Sequence, residues 1–369
     1  MLMRAAVLTA FGSPLEIRQV EAGDPGPGEA RVRIAASGVC GSDLKAIDGH
    51  SPVVPHTPVV CGHESSGTVE AVGPGAEGIA PGDPVLIAMN RPCGRCRMCA
   101  RAQAHLCTDD ARLKAIMGLT PDGGTRLRMD GAGLRPYLGI GSFAEYAVVS
   151  ERALVPLPRD VPLEPMALLS CAVVTGVGAV LTTARVEPGS SVLVAGCGGV
   201  GLNAVQGAAV AGAARIIAAD VVEAKAKAAE RFGATDTVTA GEALGERVRE
   251  LVPGGVDYAF EATGVPGVLA QAFGATRAGG TTVMVGSPPP GAEASVPAGA
   301  LFASRRLMGC QGGDASPHTD LPRLVDLYKA GRLRLEELIT ERVGLDGVEG
   351  AIDRVRRGEA ARALVVPGA

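Results

Sequence analysis

The chain has 369 residues, a formal net charge of −4 at pH 7 and an isoelectric point near 5.8. This length predicts two or three domains, and 47% hydrophobic with 20% charged residues excludes wholesale disorder. The acidic balance argues against binding to nucleic acid or anionic membranes. With six Phe, four Tyr and no Trp, the core must consist mainly of Val, Leu, Ile and Ala.

The first 160 residues predict a mostly β, barrel-like domain. Short apolar runs are separated by turn signals such as Pro25-Gly26-Pro27-Gly28. The predicted strands are residues 5–10, 30–36, 67–72, 84–89 and 143–149.

From about residue 170, predicted strands alternate with predicted helices. The strands are residues 191–195, 215–219, 257–260 and 281–286, and the helices are residues 202–213 and 321–330. Such alternation is typical of a parallel sheet covered by helices on both faces. The fold class is therefore predicted to be α/β, with a doubly wound parallel sheet domain beside the β domain.

Two long stretches, 165–184 and 188–214, lack charged residues, and the first approaches the length of a membrane-spanning helix. Ser, Thr and Gly interrupt the first, and the second begins at Pro188 and contains a glycine cluster. We interpret both as buried elements of the α/β core. The apolar run 5–10 after Arg4 is too short for a signal sequence, so we expect a cytoplasmic protein.

Four of the nine cysteines, Cys93, Cys96, Cys99 and Cys107, lie within fifteen residues. An odd number of cysteines without an export signal argues against a disulfide scaffold. The short spacings allow four thiolates to bind one Zn²⁺ with no open position, which predicts a structural zinc. An iron–sulfur cluster and four free thiols are the alternatives; the spacing lacks the ferredoxin pattern.

The predicted strand 191–195 leads directly into a glycine-rich loop and then a helix. The loop comprises Gly196, Cys197, Gly198, Gly199, Val200 and Gly201. In this context G-x-G-x-x-G predicts a dinucleotide site, because glycines permit the tight turn and the approach of pyrophosphate to the helix N-terminus. In the alternative interpretation the glycines only turn the chain.

Asp220 lies nineteen residues beyond Gly201, at the end of the next predicted strand. A carboxylate there accepts hydrogen bonds from ribose hydroxyls and repels a 2′-phosphate, which favours NAD over NADP. Lys225 is also within reach of the ribose. A plain surface position is the alternative for Asp220.

Three further candidate ligands, Cys40, His63 and Cys171, are scattered along the chain. Spacing alone cannot bring them together, and any one of five histidines can be structural.

The whole chain resembles the zinc-dependent medium-chain alcohol dehydrogenases. The resemblance rests on several motifs in order: Gly38-Val39-Cys40, Gly62-His63-Glu64, the four-cysteine lobe, Leu169-Ser170-Cys171, the glycine loop and the segment from Arg357 to Arg362. Residues 113–138 resemble the insertion of the branch that includes liver-type, thiol-dependent formaldehyde and aryl alcohol dehydrogenases.

The resemblance implies a GroES-like catalytic domain in residues 1–170, with the zinc lobe at 91–108. It implies a Rossmann NAD-binding domain in residues 171–310 and a return of residues 311–369 to the catalytic domain. By the same resemblance, Cys40, His63 and Cys171 are the ligands of a catalytic zinc, a Cys₂His set already known from alcohol dehydrogenases.

The resemblance also implies roles for individual side chains. Glu64 is the carboxylate behind the metal, Asp43 orients the histidine, and Ser42 takes the substrate's proton. Thr175 contacts the nicotinamide, and Arg362 contacts the pyrophosphate. Met89 falls at a substrate-pocket position.

The implied activity is hydride transfer between a primary alcohol, including bulky or aromatic ones, and NAD, with two zinc ions per chain. The alternative substrate is an S-hydroxymethyl thiol, the adduct of formaldehyde and a thiol. Relatives with that activity tend to carry an arginine where this chain has Ala111. A homodimer is the expected assembly, with a tetramer as the alternative, and no nucleic-acid or membrane partner is expected.

Two positions depart from the better-known family pattern. Gly41 replaces a basic residue near the pyrophosphate, and Lys45 replaces the histidine that ends the proton relay. Lysine is a poor base at neutral pH, so water or His50 is the candidate replacement, with an ordinary turn position as the alternative for His50.

Overall fold

In the computed structural model, which describes residues 1–241 and 243–368, the chain forms two compact units. The first unit comprises Met1–Cys171, Ser316–Lys329 and Arg334–Ala369, and the second comprises Ala172–Ala315 and Ala330–Leu333.

The strands are β1 Leu2–Leu8, β2 Glu16–Ala22, β3 Glu29–Gly38, β4 Val59–Val60, β5 Glu64–Val72, β6 Pro84–Ile87, β7 Leu127–Met129, β8 Ala132–Pro136, β9 Tyr146–Ser150, β10 Leu154–Pro156, β11 Ser191–Ala195, β12 Arg215–Asp220, β13 Asp236–Thr239, β14 Val256–Glu261, β15 Thr276–Met284, β16 Arg306–Gly309, β17 Ile339–Val343 and β18 Arg362–Val365. The α-helices are α1 Gly41–Ile47, α2 Arg97–Ala100, α3 Asp110–Ile116, α4 Leu163–Met166, α5 Ala172–Gly178, α6 Gly199–Ala211, α7 Glu223–Ala228, α8 Leu244–Leu251, α9 Pro266–Ala275, α10 Ala298–Phe302, α11 Pro317–Lys329 and α12 Val348–Arg356. Short 3₁₀ segments and a π-helical turn at Ala179–Ala184 connect several of them.

The first unit contains a closed barrel and a second sheet. The barrel order is β1-β2-β7-β8-β4, and the second sheet runs β10-β6-β5-β3-β18-β17 with β9 also paired to β3. The segment 113–138, expected as an insertion, supplies β7 and β8, so it closes the barrel. Buried Val20, Leu134 and Ala144 pack in one of the cores of this unit.

The second unit contains one parallel sheet in the order β13-β12-β11-β14-β15-β16. Numbered within the unit this is 3-2-1-4-5-6, the order of a dinucleotide-binding fold. The central strand β11 is buried from Val192 to Ala195, as expected for a strand covered on both faces. The predicted α/β fold class with a β, barrel-containing unit is confirmed.

Several element boundaries differ from the predictions. Helix α6 begins at Gly199 rather than at residue 202, because the glycine loop already adopts helical geometry at its end, and it ends before Gly212, whose φ is +79°. Helix α11 begins at Pro317, four residues before the predicted start. β1 begins at Leu2 rather than at residue 5, so the prediction from the apolar pattern placed the start of the first strand three residues too late.

Within the described part of the chain, no single helix is long and apolar enough to cross a membrane. The bent pair Leu163–Ser170 and Ala172–Ala184 meets the length and composition criteria only when its two segments are combined.

Candidate active site

The first unit brings Cys40, His63 and Cys171 together. Cys40 precedes α1, His63 precedes β5, and Cys171 ends the first long segment of this unit. The Cys40 and Cys171 sulfurs lie 3.9 Å apart, and Cys171 Sγ lies 3.5 Å from His63 Nε2. Zinc–sulfur bonds of about 2.3 Å give a tetrahedral edge of about 3.8 Å, so this triad fits one zinc ion.

Asp43 orients the imidazole from behind. Its Oδ1 lies 3.1 Å from His63 Nδ1 and also accepts the Gly62 N–H at 3.2 Å, while its Oδ2 accepts the Cys40 N–H at 2.9 Å. Burial disfavours the charged imidazole, but Asp43 and Cys40 together offset this and raise the pKa of His63 well above its ordinary value. With Nδ1 held by Asp43, Nε2 faces the two sulfurs.

Ser42 lies beside the same nitrogen. Its Oγ is 3.1 Å from His63 Nε2, and its backbone carbonyl accepts a hydrogen bond from the Tyr137 hydroxyl at 3.1 Å. The Tyr137 ring also contacts His63 edge-on, with ring centroids 5.4 Å apart. Sequence reasoning missed Tyr137; its place in the Pro136–Gly141 turn carried no signal of contact with a histidine 74 residues earlier.

Glu64 and Arg362 form a buried ion pair next to the triad. Glu64 Oε2 lies 3.4 Å from Arg362 Nη1, which also donates to the Val39 carbonyl at 3.0 Å, and both side chains are buried. The hydrogen bond from Cys171, together with the charges of Arg362 and His63, lowers the pKa of the Cys40 thiol well below its ordinary value. A thiolate is the form that binds metal.

The four lobe cysteines also converge. Cys93 Sγ lies 4.0 Å from Cys99 Sγ, Cys96 Sγ lies 3.8 Å from Cys107 Sγ, and all four sulfurs lie within 4.8 Å of one another. These separations match the edges of a tetrahedral tetrathiolate site. Backbone N–H groups of Cys99 and Thr108 lower the pKa of Cys96 to about 5, which favours the thiolate that binds metal.

In the second unit, the glycine loop lies between β11 and α6. A Cβ on Gly201 would lie 1.7 Å from the Gly196 carbonyl oxygen, so this close approach requires glycine. A Cβ on Gly198 would meet no atom within 4 Å, which leaves open space above the loop for a ligand. The carboxylate of Asp220 accepts the Cys197 N–H at 2.8 Å and the Val222 N–H at 2.9 Å.

The remaining predicted site residues are found in both units. Lys225 is half-buried in α7, and its charge acts on the buried Cys197 thiol. Thr175 is buried in α5 of the second unit. In the first unit, Met89 is half-buried against the core of the second sheet.

Comparison with known proteins decides the family. Residues 26–159 match the alcohol dehydrogenase GroES-like domain, and residues 199–330 match the zinc-binding dehydrogenase domain. The chain is 37% identical to alcohol dehydrogenase class-3 of Cereibacter sphaeroides, over 99% of this chain and 100% of that one. The chain belongs to the zinc-dependent alcohol dehydrogenase family. It is therefore an oxidoreductase, as the sequence resemblance predicted.

Other members of the family show how closely the chain follows it. S-(hydroxymethyl)glutathione dehydrogenase of Paracoccus denitrificans is 36% identical over 99% of this chain and 100% of that one. The crystal structure of benzyl alcohol dehydrogenase from Acinetobacter calcoaceticus has a TM-score of 0.92 at 30% identity, covering 99% of both chains. A zinc-binding dehydrogenase of Sinorhizobium meliloti bound to NADP has a TM-score of 0.81 at 29% identity over the full length of both chains.

The positions that depart from the alcohol dehydrogenase pattern have distinct surroundings. Gly41 is exposed, and a Cβ there would meet no atom. Lys45 is half-buried in α1, and His50, which follows the end of that helix, is exposed. Arg112, next to Ala111, is buried and donates to the carbonyls of Cys107 and His105, both at 2.9 Å. Arg112 is therefore engaged with the lobe backbone.

Proposed function

We propose that this chain is a zinc- and NAD-dependent dehydrogenase that oxidises primary alcohols, including bulky or aromatic ones, to aldehydes. The observation that carries the proposal is the convergence of Cys40, His63 and Cys171 at tetrahedral spacing, with Ser42 beside them. Three protein ligands leave a fourth position for an exchangeable oxygen. Membership of the alcohol dehydrogenase family supports the same reaction.

Bound zinc supplies Lewis-acid stabilisation of negative charge on an alcohol oxygen, and bound NAD supplies the hydride acceptor. Asp43 holds the His63 ring so that Nε2 faces the two sulfurs. Ser42 Oγ would accept the substrate's hydroxyl proton as its own proton passes on to water. Arg362 balances the buried negative charge of Glu64.

We assign a second, structural zinc to the lobe, which gives two zinc ions per chain. In the second unit, the loop from Gly196 to Gly201 is proposed to hold the pyrophosphate, with Asp220 and Lys225 at the adenosine ribose and Thr175 at the nicotinamide. The carboxylate of Asp220 supports NAD, because it would repel a 2′-phosphate. Arg362 is proposed to contact the pyrophosphate as well.

The proposal includes the division of the chain into two domains: a catalytic domain of residues 1–170 and 311–369, and an NAD-binding domain of residues 171–310. It also includes a cytoplasmic location.

We also propose a homodimer. Strand β16 ends the parallel sheet, and all four of its residues are exposed. Phe302 is 95% exposed just before it. A second copy that pairs antiparallel with β16 would bury this apolar edge around a two-fold axis.

The S-hydroxymethyl thiol adduct is the second candidate substrate, because the relative from Paracoccus denitrificans is named for it. The engagement of Arg112 with lobe carbonyls argues against it, since neither Ala111 nor Arg112 offers a free cation to the adduct.

The test measures NADH formation by zinc-loaded protein with aliphatic, allylic and aryl alcohols, and with formaldehyde in the presence and absence of a low-molecular-weight thiol. We expect turnover of free alcohols. Turnover only of formaldehyde plus thiol would replace the first proposal by the second. No turnover of any compound by protein that holds zinc and binds NAD would contradict both.

A further inference from the structure

A cavity of about 100 Å³ lies in the first unit, away from the proposed catalytic centre. Two buried arginines, Arg91 and Arg112, line it together with Ala115 and Gly139. Neither Met89 nor the residues around the catalytic centre described above line it. The cavity is therefore separate from the proposed alcohol site.

Arg91 is 3% exposed, yet most of its hydrogen-bonding capacity is unused. Its Nη2 donates to the Leu138 carbonyl at 2.5 Å, whereas Nε and Nη1 have no hydrogen-bond partner among the described residues. Gly139 has a φ of +63°, and a Cβ there would lie 2.0 Å from the Ala115 carbonyl oxygen and 3.0 Å from Arg91 Nη1. Glycine at this position therefore permits the close approach of α3, and it also leaves space beside the guanidinium group.

Arg112 brings a second positive charge to the same cavity. Its Nη atoms donate to neutral acceptors only, namely the Cys107 and His105 carbonyls and Asn90 Oδ1, and its Nε has no partner in the described part of the chain. Two buried guanidinium groups thus line the same cavity.

The acidic residue that lines the cavity does not neutralise this pair. Glu29 Oε2 lies 2.6 Å from Arg126 Nε and also accepts the Gly26 N–H at 2.7 Å. Buried charges are costly unless they are paired. No other acidic side chain among the described residues lines the cavity. A small anion can pair with both guanidinium groups, since arginine forks match the oxygens of phosphate-like groups.

We propose that this cavity binds a small, doubly charged oxyanion, inorganic phosphate or sulfate, between Arg91 and Arg112. Two guanidinium charges match two anionic charges, and the cavity volume suits a group of five heavy atoms rather than a nucleotide. The bound anion links Arg91, which precedes the zinc lobe, to Arg112 in helix α3, which follows the lobe. Its effect is therefore expected on the stability of this unit, independently of the alcohol dehydrogenase reaction.

The test follows the melting temperature of the zinc-loaded protein as sodium phosphate, sulfate or acetate is increased, with NaCl holding ionic strength constant. We expect a saturable rise of about 3 °C or more with phosphate or sulfate, and a smaller one with acetate. Comparing the two dianions identifies the preferred one. Arg91→Gln and Arg112→Gln should each weaken the apparent Kd at least tenfold, whereas Arg159→Gln, at an exposed ion pair with Asp83, should not change it.

A carboxylate built into the cavity provides a second test that does not remove an arginine. Ala115→Glu should raise the melting temperature without phosphate and abolish the response to it. Leu113→Glu, on the exposed side of the same helix, should do neither. A response equal in wild type, Arg91→Gln and Ala115→Glu would overturn the proposal. The absence of a saturable response in wild type would also overturn it, and zinc loss from Arg91→Gln would then indicate that the arginines serve the lobe thiolates.

Discussion

Asp43 and His63 form a fully buried pair in which Asp43 Oδ1 lies 3.1 Å from His63 Nδ1. The same carboxylate accepts the backbone N–H groups of Cys40 and Gly62. One side chain therefore orients the proposed histidine ligand and also holds the backbone of a proposed cysteine ligand. The two ligands lie 23 positions apart in the chain, and Asp43 links them.

Asp43→Asn should weaken zinc binding at the catalytic site by about 10- to 100-fold, because the second partner of a metal-bound histidine fixes its ring and raises its basicity. The measurement is zinc content after dialysis against a graded chelator, with alcohol oxidation followed in parallel. Asp48→Asn is the matched control, since Asp48 follows the same helix and pairs with Arg356 instead. Equal zinc retention in both variants would contradict the assigned role of Asp43.

Ser42→Ala should lower kcat for alcohol oxidation by about 100-fold and leave zinc content unchanged, because the hydroxyl accepts the substrate's proton. Ser42→Thr keeps a hydroxyl and should recover part of the activity. Steady-state kinetics over a range of pH check this. If Ala and Thr variants are equally impaired, the residue acts through packing rather than proton transfer.

Asp220→Ala should relax the preference for NAD. A hydrogen bond to a charged group contributes about 1.5–3 kcal/mol, so the ratio of kcat/KM for NAD to that for NADP should fall about 10- to 100-fold. Glu223→Ala removes an exposed carboxylate from the adjacent helix α7 and should leave the ratio as it is. An unaltered ratio in Asp220→Ala would remove the basis for proposing NAD.

Cys96→Ser should reduce the zinc content from about two ions per chain to about one, because the lobe loses one of four thiolates. Cys310→Ser, outside both cysteine clusters, should retain both ions. Backbone N–H groups lower the pKa of the Cys96 thiol, so protons compete with zinc for this thiolate only in acid, and acid should release the lobe zinc. Retention of two ions by Cys96→Ser would argue against the tetrathiolate site.

Phe302→Asp should convert the proposed dimer to a monomer, since it places a charge on the apolar edge beside β16. Val221→Asp is the control, because Val221 is 72% exposed at the end of β12 in the same unit, away from β16 in the sheet order. Sedimentation velocity measures the assembly. An unchanged sedimentation coefficient for Phe302→Asp would exclude this edge as the interface.

Local patterns in the sequence predicted several features without any knowledge of the fold. The strand before Gly196 and the helix after it followed from apolar runs and glycine spacing, although the helix begins three residues earlier than predicted. The parallel sheet followed from alternation of strands and helices. The strand order was not readable from the residues themselves, because it depends on which distant strands pair.

The candidate catalytic triad shows where the residues alone were insufficient. Cys40 and Cys171 are 131 positions apart, and no spacing rule joins them. Family resemblance supplied the ligand set, and the distances in the folded chain fit it. Tyr137 and the Glu64–Arg362 pair lie next to this triad. The family resemblance implied roles for Glu64 and Arg362 but none for Tyr137.

The sequence by itself determined the four-cysteine lobe and the glycine loop, because the side chains and backbone groups that act together lie within about fifteen positions and local geometry brings them together. Apart from the family resemblance, only the tertiary structure brought Cys40, His63 and Cys171 to one centre, and it alone decided that Arg91 and Arg112 share one cavity. Those groups come from segments joined by strand pairing and core packing, which act between residues far apart in the chain.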